Sequence, residues 1–153
     1  MVKDRKLILG GIHIPYEKGL LGHSDADALC HAVGDALLGA AALGDIGQHF
    51  PDDDPQYAGI SSLLLLKKIS LLLGEKRVKI NNVDATIVLE QPRLRNFIDE
   101  MRKNIAEALS LPVERISIKA TTSEKMGFVG EKKGIAVYAC ALVEEEHIDE
   151  KER

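Results

Sequence analysis

The sequence has no tryptophan, and only 4% of its 153 residues are aromatic. Leu, Ile, Val and Ala must therefore fill the interior of a chain that is 45% hydrophobic, which is enough for one domain with its own core. No apolar run can span a membrane, since even SLLLLKKISLLL is interrupted by two lysines. The start, MVKDRK, contains no apolar signal segment, so we expect a cytoplasmic protein without membrane contact.

Cysteine and positive charge are also scarce. Cys30 and Cys140 have no metal-type spacing, and we expect two buried, reduced thiols rather than a disulfide. The net charge of −4 argues against nucleic acid as a partner. An anionic ligand would have to be held by metal ions or by backbone N–H groups.

Residues 22–52 are rich in chemistry, with five aspartates and three histidines around one predicted helix. Ser24 is the expected N-cap, and the pattern predicts a helix from about residue 25 to about residue 43. Asp27, His31 and Asp35 are spaced four residues apart along one stripe, so we expect His31 to lie between two carboxylates. His31 is then either a metal ligand or a structural helix histidine flanked by acids.

The remaining pattern predicts alternating short elements. KLILGGIHIPY reads as a hairpin that turns at Gly10–Gly11, and residues 44–57 read as an acidic loop. Apolar periodicity and cap signals predict the other elements: helices at about 60–73 and 95–109, and strands at about 82–90, 116–120 and 135–143.

This order predicts an α+β fold, a two-layer sandwich of a mixed sheet of about four strands with helices on one face. Apolar residues on both faces of strands 83–89 and 135–143 indicate that copies of the chain cover the other face. Residues 1–143 form the single domain. The charge run 144–153 is expected to be a solvated tail.

Four segments together resemble one family, the 2-C-methyl-D-erythritol 2,4-cyclodiphosphate synthases of the non-mevalonate isoprenoid pathway. The segments are IPYEKGLLGHSDADAL, HAVGDALLGAAALGDIGQHFPDDDP, NVDATIVLEQP and IKATTSEKMGF. The resemblance implies an α+β homotrimer with active sites at subunit interfaces. It also implies that a cytidine diphospho-methylerythritol 2-phosphate is converted to a cyclic diphosphate with release of CMP.

The resemblance assigns roles to individual residues. Zinc is implied at His31, with Asp27 and Asp35 as supporting residues, and magnesium or manganese is implied at Glu124. His23 and Thr122 are implied to stabilise the transition state. Thr121 to Glu124 are implied to hold the diphosphate. The other substrate-binding residues implied are Asp45, Ile46, Gly47, Phe50, Asp52 and Asp54 for the methylerythritol, Leu89, Pro92, Arg93, Leu94 and Arg95 for the cytidine, and Phe128. Ser24, with His23, is expected at the helix N-terminus, where backbone N–H groups and the helix dipole favour phosphate.

Structural alternatives stand beside these roles. Pro92 could simply terminate a strand, Asp52 to Asp54 could form a solvated loop, and Thr121 to Ser123 could be polar turn residues.

Two departures from the family pattern weaken the expectation of activity. The family's zinc site takes an Asp-x-His pair from a preceding strand, and no such pair precedes Lys6, so zinc is either bound weakly or not at all, or the strand has been lost. Glu131 replaces an arginine that meets the substrate phosphate in the family. The alternative to an active cyclase is therefore a trimeric, cytidine-nucleotide-binding homologue without turnover, and a generic metal hydrolase ranks below both.

Overall fold

The structure is a computed structural model that describes residues 1–147. The strands are β1 (Val2–Lys3), β2 (Leu7–Leu9), β3 (Ile12–Ile14), β4 (Lys18–Gly19), β5 (Val78–Val88), β6 (Ile116–Thr121) and β7 (Ala136–Glu145). The helices are α1 (Ala28–Ala40), α2 (Ile46–His49), α3 (Ser62–Glu75), α4 (Ile98–Leu109) and α5 (Gly127–Gly130). Single 3₁₀ turns lie at Pro55–Tyr57, Arg95–Phe97 and Val113–Arg115. No helix among these is long and apolar enough to cross a bilayer.

The main sheet has three strands in the order β6-β5-β7. β5 is parallel to β6 and antiparallel to β7, with an irregularity between Ile80 and Asn82. The predicted mixed sheet is thus confirmed, but the expectation of about four strands is wrong for the part of the chain described. The hairpin strands β2 and β3 pair only with each other, and β1 pairs with β4, so they pack on the domain without extending its sheet.

The hairpin turn is where the sequence placed it. Gly10 and Gly11 have φ of 58° and 74°, the left-handed backbone that a two-residue hairpin turn requires and that glycine adopts most easily. A Cβ at Gly10 would lie 2.6 Å from the Cβ of Met101, so α4 passes directly against this turn.

The core lies between the sheet and the helices. α1 and α3 pack on each other and on β5, and α4 packs on α3 and β6. The predicted inner faces are buried: Leu29, Val33 and Leu37 of α1, and Val83, Ala85, Ile87 and Leu89 on and after β5. The α+β layer arrangement is therefore confirmed.

The first helix begins later than predicted. Its N-cap is Asp27, whose carboxylate accepts a hydrogen bond from the N–H of Cys30, and not Ser24. Ala26 has a φ of 56°, which interrupts any helix that starts at residue 25. The C-terminal end also falls short of residue 43, since α1 ends at Ala40.

The acidic segment 44–57 is more ordered than predicted. Asp45 caps α2 by accepting from the N–H of Gln48 at 2.9 Å, and Asp54 caps the following 3₁₀ turn by accepting from the N–H of Gln56 at 3.0 Å. Two of the aspartates in this segment are therefore N-caps of short helical turns, where the composition had predicted a loop.

Three other predicted boundaries move. β5 begins at Val78, four residues before the predicted strand, and α4 begins at Ile98 after a 3₁₀ turn. β7 continues to Glu145, so the start of the predicted tail is strand. The rest of the tail is exposed through residue 147, and residues 148–153 lie outside the described part.

The second face of the sheet is exposed in the single chain. Tyr138 and Leu142 on β7 are 68% and 58% exposed, and Cys140 between them is also exposed. Cys30 is buried as predicted, but the predicted burial of Cys140 is wrong for the isolated chain. Alternation along β7 explains the difference, because every second residue points away from the helices.

Candidate functional site

A first cleft brings together polar residues of the segment 22–52. It has a volume of about 540 Å³ and lies between the chain before α1, one face of α1 and the start of α2. Its polar lining residues are His23, Ser24, His31, Asp35 and Asp52, and Ile46 and Gly47 complete the predicted residues found there. Half of the residues that line this cleft were therefore predicted from the sequence.

The segment with His23 and Ser24 is hydrogen-bonded to the chain just before α3 and at its start. The N–H of Gly59 donates to the carbonyl of His23 at 3.1 Å. The carboxylate of Asp25 accepts from the N–H of Ser62 at 2.9 Å and also from its hydroxyl. The start of α3 therefore sets where these two residues stand, and Asp25 is a site-supporting residue that the sequence analysis missed.

His31 is bonded differently from the prediction. Its Nε2 lies 3.2 Å from the hydroxyl of Ser24. Asp27 instead accepts from the N–H groups of Gly10 and Gly11 at 3.0 and 2.7 Å, in addition to Cys30. The expectation that His31 lies between two carboxylates is therefore wrong on the Asp27 side, because an N-cap side chain turns back to the first helical N–H groups.

Burial dominates the electrostatics around Asp27. It raises the pKa of the Asp27 carboxyl, while hydrogen bonds from the three backbone N–H groups oppose the rise. Burial, followed by the charge of Asp27, raises the pKa of the Cys30 thiol well above its usual range. Cys30 is therefore a packed, unreactive thiol and Asp27 a structural clamp between hairpin and helix.

Asp35 lies on the cleft and also has a structural bond. Its Oδ1 accepts from the N–H of Ile46 at 2.8 Å, which fixes the start of α2 against α1. Phe50, after α2, packs edge-on against Tyr57 with ring centroids 5.4 Å apart. Neither Phe50 nor the capping residues Asp45 and Asp54 line the first cleft.

The second cleft lies where β5 and β6 end, and its volume is about 510 Å³. The cis peptide bond between Gln91 and Pro92 turns the chain along one side of it. Of the predicted residues it is lined by Leu89, Pro92, Arg93, Leu94, Arg95, Thr121 and Thr122, and of the residues not predicted by Glu90, Ile98 and Lys119 among others. The two predicted groups, the one after β5 and the one after β6, are thus brought together by parallel pairing of their strands.

Glu90 ties the two sides of this cleft. One oxygen of its carboxylate, Oε1, accepts from the N–H of Ser123 at 2.9 Å and lies 3.0 Å from the Ser123 hydroxyl. Hydrogen bonding from Ser123 holds the pKa of the Glu90 carboxyl below its usual range. The only sequence signal for Glu90 was its position as an acidic residue directly after a buried strand.

The rest of the loop after β6 is exposed. Glu124 and Lys125 have φ of 53° and 61°, and the N–H of Glu124 lies 3.3 Å from the Thr122 hydroxyl oxygen. Phe128, in α5, is 57% exposed. Glu131 forms an ion pair with Lys133, so its charge is partly balanced on the surface.

The donor sets differ in how well they fit a metal. Within residues 1–147, no three His, Cys, Asp or Glu side chains are placed to hold an ion, so these residues do not fit a zinc site with three protein ligands around His31. Glu124 offers one exposed carboxylate. A single carboxylate combined with phosphate oxygens is the usual arrangement for magnesium or manganese.

The chain is similar to known proteins over almost its whole length. Residues 1–144 match the YgbB family. A 2-C-methyl-D-erythritol 2,4-cyclodiphosphate synthase of Lachnospira eligens is 59% identical over 143 residues, which cover 93% of this chain and 78% of that protein. The synthase of Geobacter metallireducens is 58% identical over 144 residues, covering 94% of this chain and 92% of the relative.

Solved structures agree with the sequence relatives. The bifunctional IspDF from Campylobacter jejuni superposes with a TM-score of 0.88 and 41% identity, over 93% of this chain and 38% of that larger one. An IspF CDP complex from Plasmodium falciparum gives a TM-score of 0.81 and 34% identity, over 95% of this chain and 88% of the other.

The fold, the clefts and these relatives define the class of protein, which is a lyase-type enzyme, a cyclodiphosphate synthase. The chain belongs to the YgbB family, together with the 2-C-methyl-D-erythritol 2,4-cyclodiphosphate synthases. The resemblance drawn from the four sequence segments is thereby confirmed.

Proposed function

We propose that this chain converts 4-diphosphocytidyl-2-C-methyl-D-erythritol 2-phosphate to 2-C-methyl-D-erythritol 2,4-cyclodiphosphate with release of CMP. The observation that carries the proposal is the second cleft. It brings Thr121 and Thr122 beside the wall formed by Leu89 and Pro92 to Arg95, in a fold similar to a structure that holds CDP. We assign the cytidine to this wall and the diphosphate to the loop that contains Thr121, Thr122 and Ser123.

The reaction needs two anionic groups to be pressed together. An oxygen of the 2-phosphate forms a bond to the β-phosphorus, and the bond from that phosphorus to the CMP oxygen breaks, with CMP taking the electron pair. Catalysis of such a transfer is mainly positioning and charge stabilisation. Thr122 and His23 are assigned to stabilise the developing charge, and Ser24 is assigned to the 2-phosphate.

The remaining polar groups of the first cleft suit the methylerythritol portion. Carboxylates such as Asp52 accept hydrogen bonds from hydroxyl groups, and Ile46 and Gly47 contribute the adjoining wall. Asp45, Phe50 and Asp54 act indirectly in this assignment, through the short helix and turn that place Asp52. Phe128 is assigned to the rim of the diphosphate loop.

A homotrimer with interfacial sites accounts for the division of these residues. His23 lines the first cleft and Thr122 lines the second, and no residue of the described chain lines both. The apolar residues Tyr138 and Leu142 lie exposed on the sheet face, where a second copy can bury them. The first cleft of one copy then faces the second cleft of its neighbour.

Glu124 is assigned to magnesium or manganese, which when bound would neutralise charge on the diphosphate oxygens. Zinc at His31 stays a prediction of the resemblance. No step is assigned to zinc, because the described residues supply no set of three ligands for it.

The test is direct measurement of product with the purified chain. The cytidine substrate is supplied with magnesium, with and without added zinc, and CMP is quantified by chromatography while ³¹P NMR detects the cyclic diphosphate. Equal amounts of both products support the proposal. Binding of CDP by a trimeric, metal-supplied preparation without CMP release would overturn it in favour of a non-catalytic nucleotide-binding homologue.

A further inference from the structure

We propose that Glu90 is a positioning residue that sets the conformation of the loop 121–126 through Ser123 and thereby places Thr122 for the diphosphate. The inference rests on the proposed function for its catalytic consequence. Its structural part, a tether between the two walls of the second cleft, rests only on the contacts of Glu90.

The tether joins the ends of two parallel strands. Val88 of β5 pairs with Thr121 of β6, and the N–H of Leu89 donates to the carbonyl of Thr121 at 3.0 Å. The backbone pairing ends there. Glu90, the next residue, continues the connection through its side chain, which reaches the N–H and hydroxyl of Ser123.

Apart from Glu90, the loop is held by bonds within itself: the Ser123 hydroxyl donates to the Met126 carbonyl at 2.7 Å, and the N–H of Met126 donates to the Ser123 carbonyl at 3.1 Å. Thr121, Thr122, Glu124 and Lys125 are all exposed, so little apolar burial holds it in place. Glu124 and Lys125 are consecutive non-glycine residues with left-handed backbone, a conformation that persists only where the surroundings enforce it. The N–H of Lys125 also points to the same Glu90 oxygen, at 3.4 Å.

The position of Glu90 also couples the loop to the base-binding wall. Glu90 lies between Leu89 and the cis Gln91–Pro92 bond, and both Leu89 and Pro92 line the second cleft. A movement of the loop would therefore also displace the residues that are assigned to bind cytidine. The Oε1 atom of Glu90 is engaged by Ser123, so the role argued for Glu90 is to position the loop.

The test compares Glu90→Ala with Glu90→Gln, which keeps an acceptor oxygen at nearly the same place. Glu114→Ala, at an exposed glutamate in the 3₁₀ turn before β6, is the matched control. Hydrogen exchange at the Ser123 amide is measured first. We expect Glu90→Ala to lose about ten-fold or more of its protection, since the N–H loses its partner, and Glu90→Gln and the control to retain it.

Two functional measurements follow. We expect kcat/KM for CMP release to fall about ten- to hundred-fold in Glu90→Ala, because small displacements of catalytic groups have effects of this size, and to recover most of this in Glu90→Gln. CDP affinity should fall more than CMP affinity, because only CDP carries the β-phosphate assigned to the loop.

The outcomes separate the inference from the proposed function. Unchanged Ser123 protection in Glu90→Ala, or the same loss of activity in Glu114→Ala, overturns the inference. A Glu90→Gln variant as impaired as Glu90→Ala also overturns it, because the charge and not the acceptor geometry would then matter. If the unaltered chain releases no CMP, the proposed function fails, and the exchange measurement still decides the tether.

Discussion

Asp25 and Ser62 are joined across 37 residues of sequence, by a hydrogen bond of 2.9 Å from the Ser62 N–H to the Asp25 carboxylate and a second one from the Ser62 hydroxyl. Ser62 is fully buried. The pair fixes the chain on either side of Asp25, where His23 and Ser24 enter the first cleft, to the first turn of α3.

Asp25→Ala is expected to lower the free energy of unfolding by about 1–3 kcal/mol, because it leaves a buried N–H and hydroxyl without their acceptor. Asp25→Asn keeps one acceptor oxygen and should lose less. Urea unfolding measures both. Since His23 and Ser24 lose their support, kcat should fall in Asp25→Ala even under conditions where the chain stays folded; unchanged kcat would show that the pair has no part in the site.

Gly10→Ala is expected to destabilise the protein by about 1–3 kcal/mol. The turn needs left-handed backbone, and the added Cβ meets Met101. Gly39→Ala is the control that should have the opposite effect on stability, because the residue lies in α1 and a Cβ there meets no atom within 4 Å. It should stabilise by up to about 1 kcal/mol. Thermal unfolding of both variants checks the contrast, which fails if the two shifts have the same sign.

His23→Ala and Thr122→Ala should each remove nearly all activity. If sites form between copies of the chain, unfolding the two variants together and refolding them as a mixture restores about a quarter of the interfaces, those that take His23 from one copy and Thr122 from the other. CMP release by the mixture, compared with either variant alone, is the measurement. A mixture no more active than its components shows that each site draws both residues from one chain.

Glu124→Gln should reduce CMP release by about a hundred-fold at saturating substrate, because the divalent cation loses its carboxylate. Chelation with EDTA should abolish the activity of the unaltered chain, and excess magnesium should restore it. In Glu124→Gln, higher magnesium should recover only part of the rate. The exposed Glu114→Gln serves as the control, and an equal loss there would show that the effect is one of surface charge.

The Glu90 tether should depend on pH. Hydrogen bonding from Ser123 lowers the pKa of Glu90 in the folded chain, so the unfolded chain binds the proton more readily. The charge-assisted part of the tether is therefore fully present above the ordinary glutamate range and is lost as the pH falls through the lowered value, where the protonated side chain accepts as the neutral Gln variant does. NMR of the Ser123 amide should follow this change. In Glu90→Gln the same signal should be insensitive to pH over that range.

The parts of the fold that the sequence predicted are those set by local pattern. The 3.6-residue spacing of leucines predicted α3, and the alternation of apolar residues predicted β5 and β7. The Gly10–Gly11 pair predicted the hairpin turn. The start of α1 was predicted wrongly because Ser24 and Asp27 are both good caps, and only the left-handed backbone at Ala26 decides between them. Short helices such as α2 carry too few residues to show a period.

The candidate site divides in the same way. His23, Ser24, His31, Thr121 and Thr122 could be chosen from sequence, because each stands in a segment that resembles the family. Asp25 and Glu90 could not, because their partners Ser62 and Ser123 are 37 and 33 residues away and no local rule links such positions. Whether zinc can bind likewise depends on which side chains lie together around His31, and the described residues place no three metal-ligating side chains together.

By itself, then, the sequence determined the class of fold, the family and about half of the residues that line the first and second clefts, since these follow from short-range patterns and from matching segments. Tertiary structure alone decided which aspartates clamp backbone and which face the cleft. It turned Asp27 towards the hairpin turn, and it joined Glu90 to Ser123. The physical reason is that a buried or strained N–H takes whichever acceptor the packing of distant segments brings within reach.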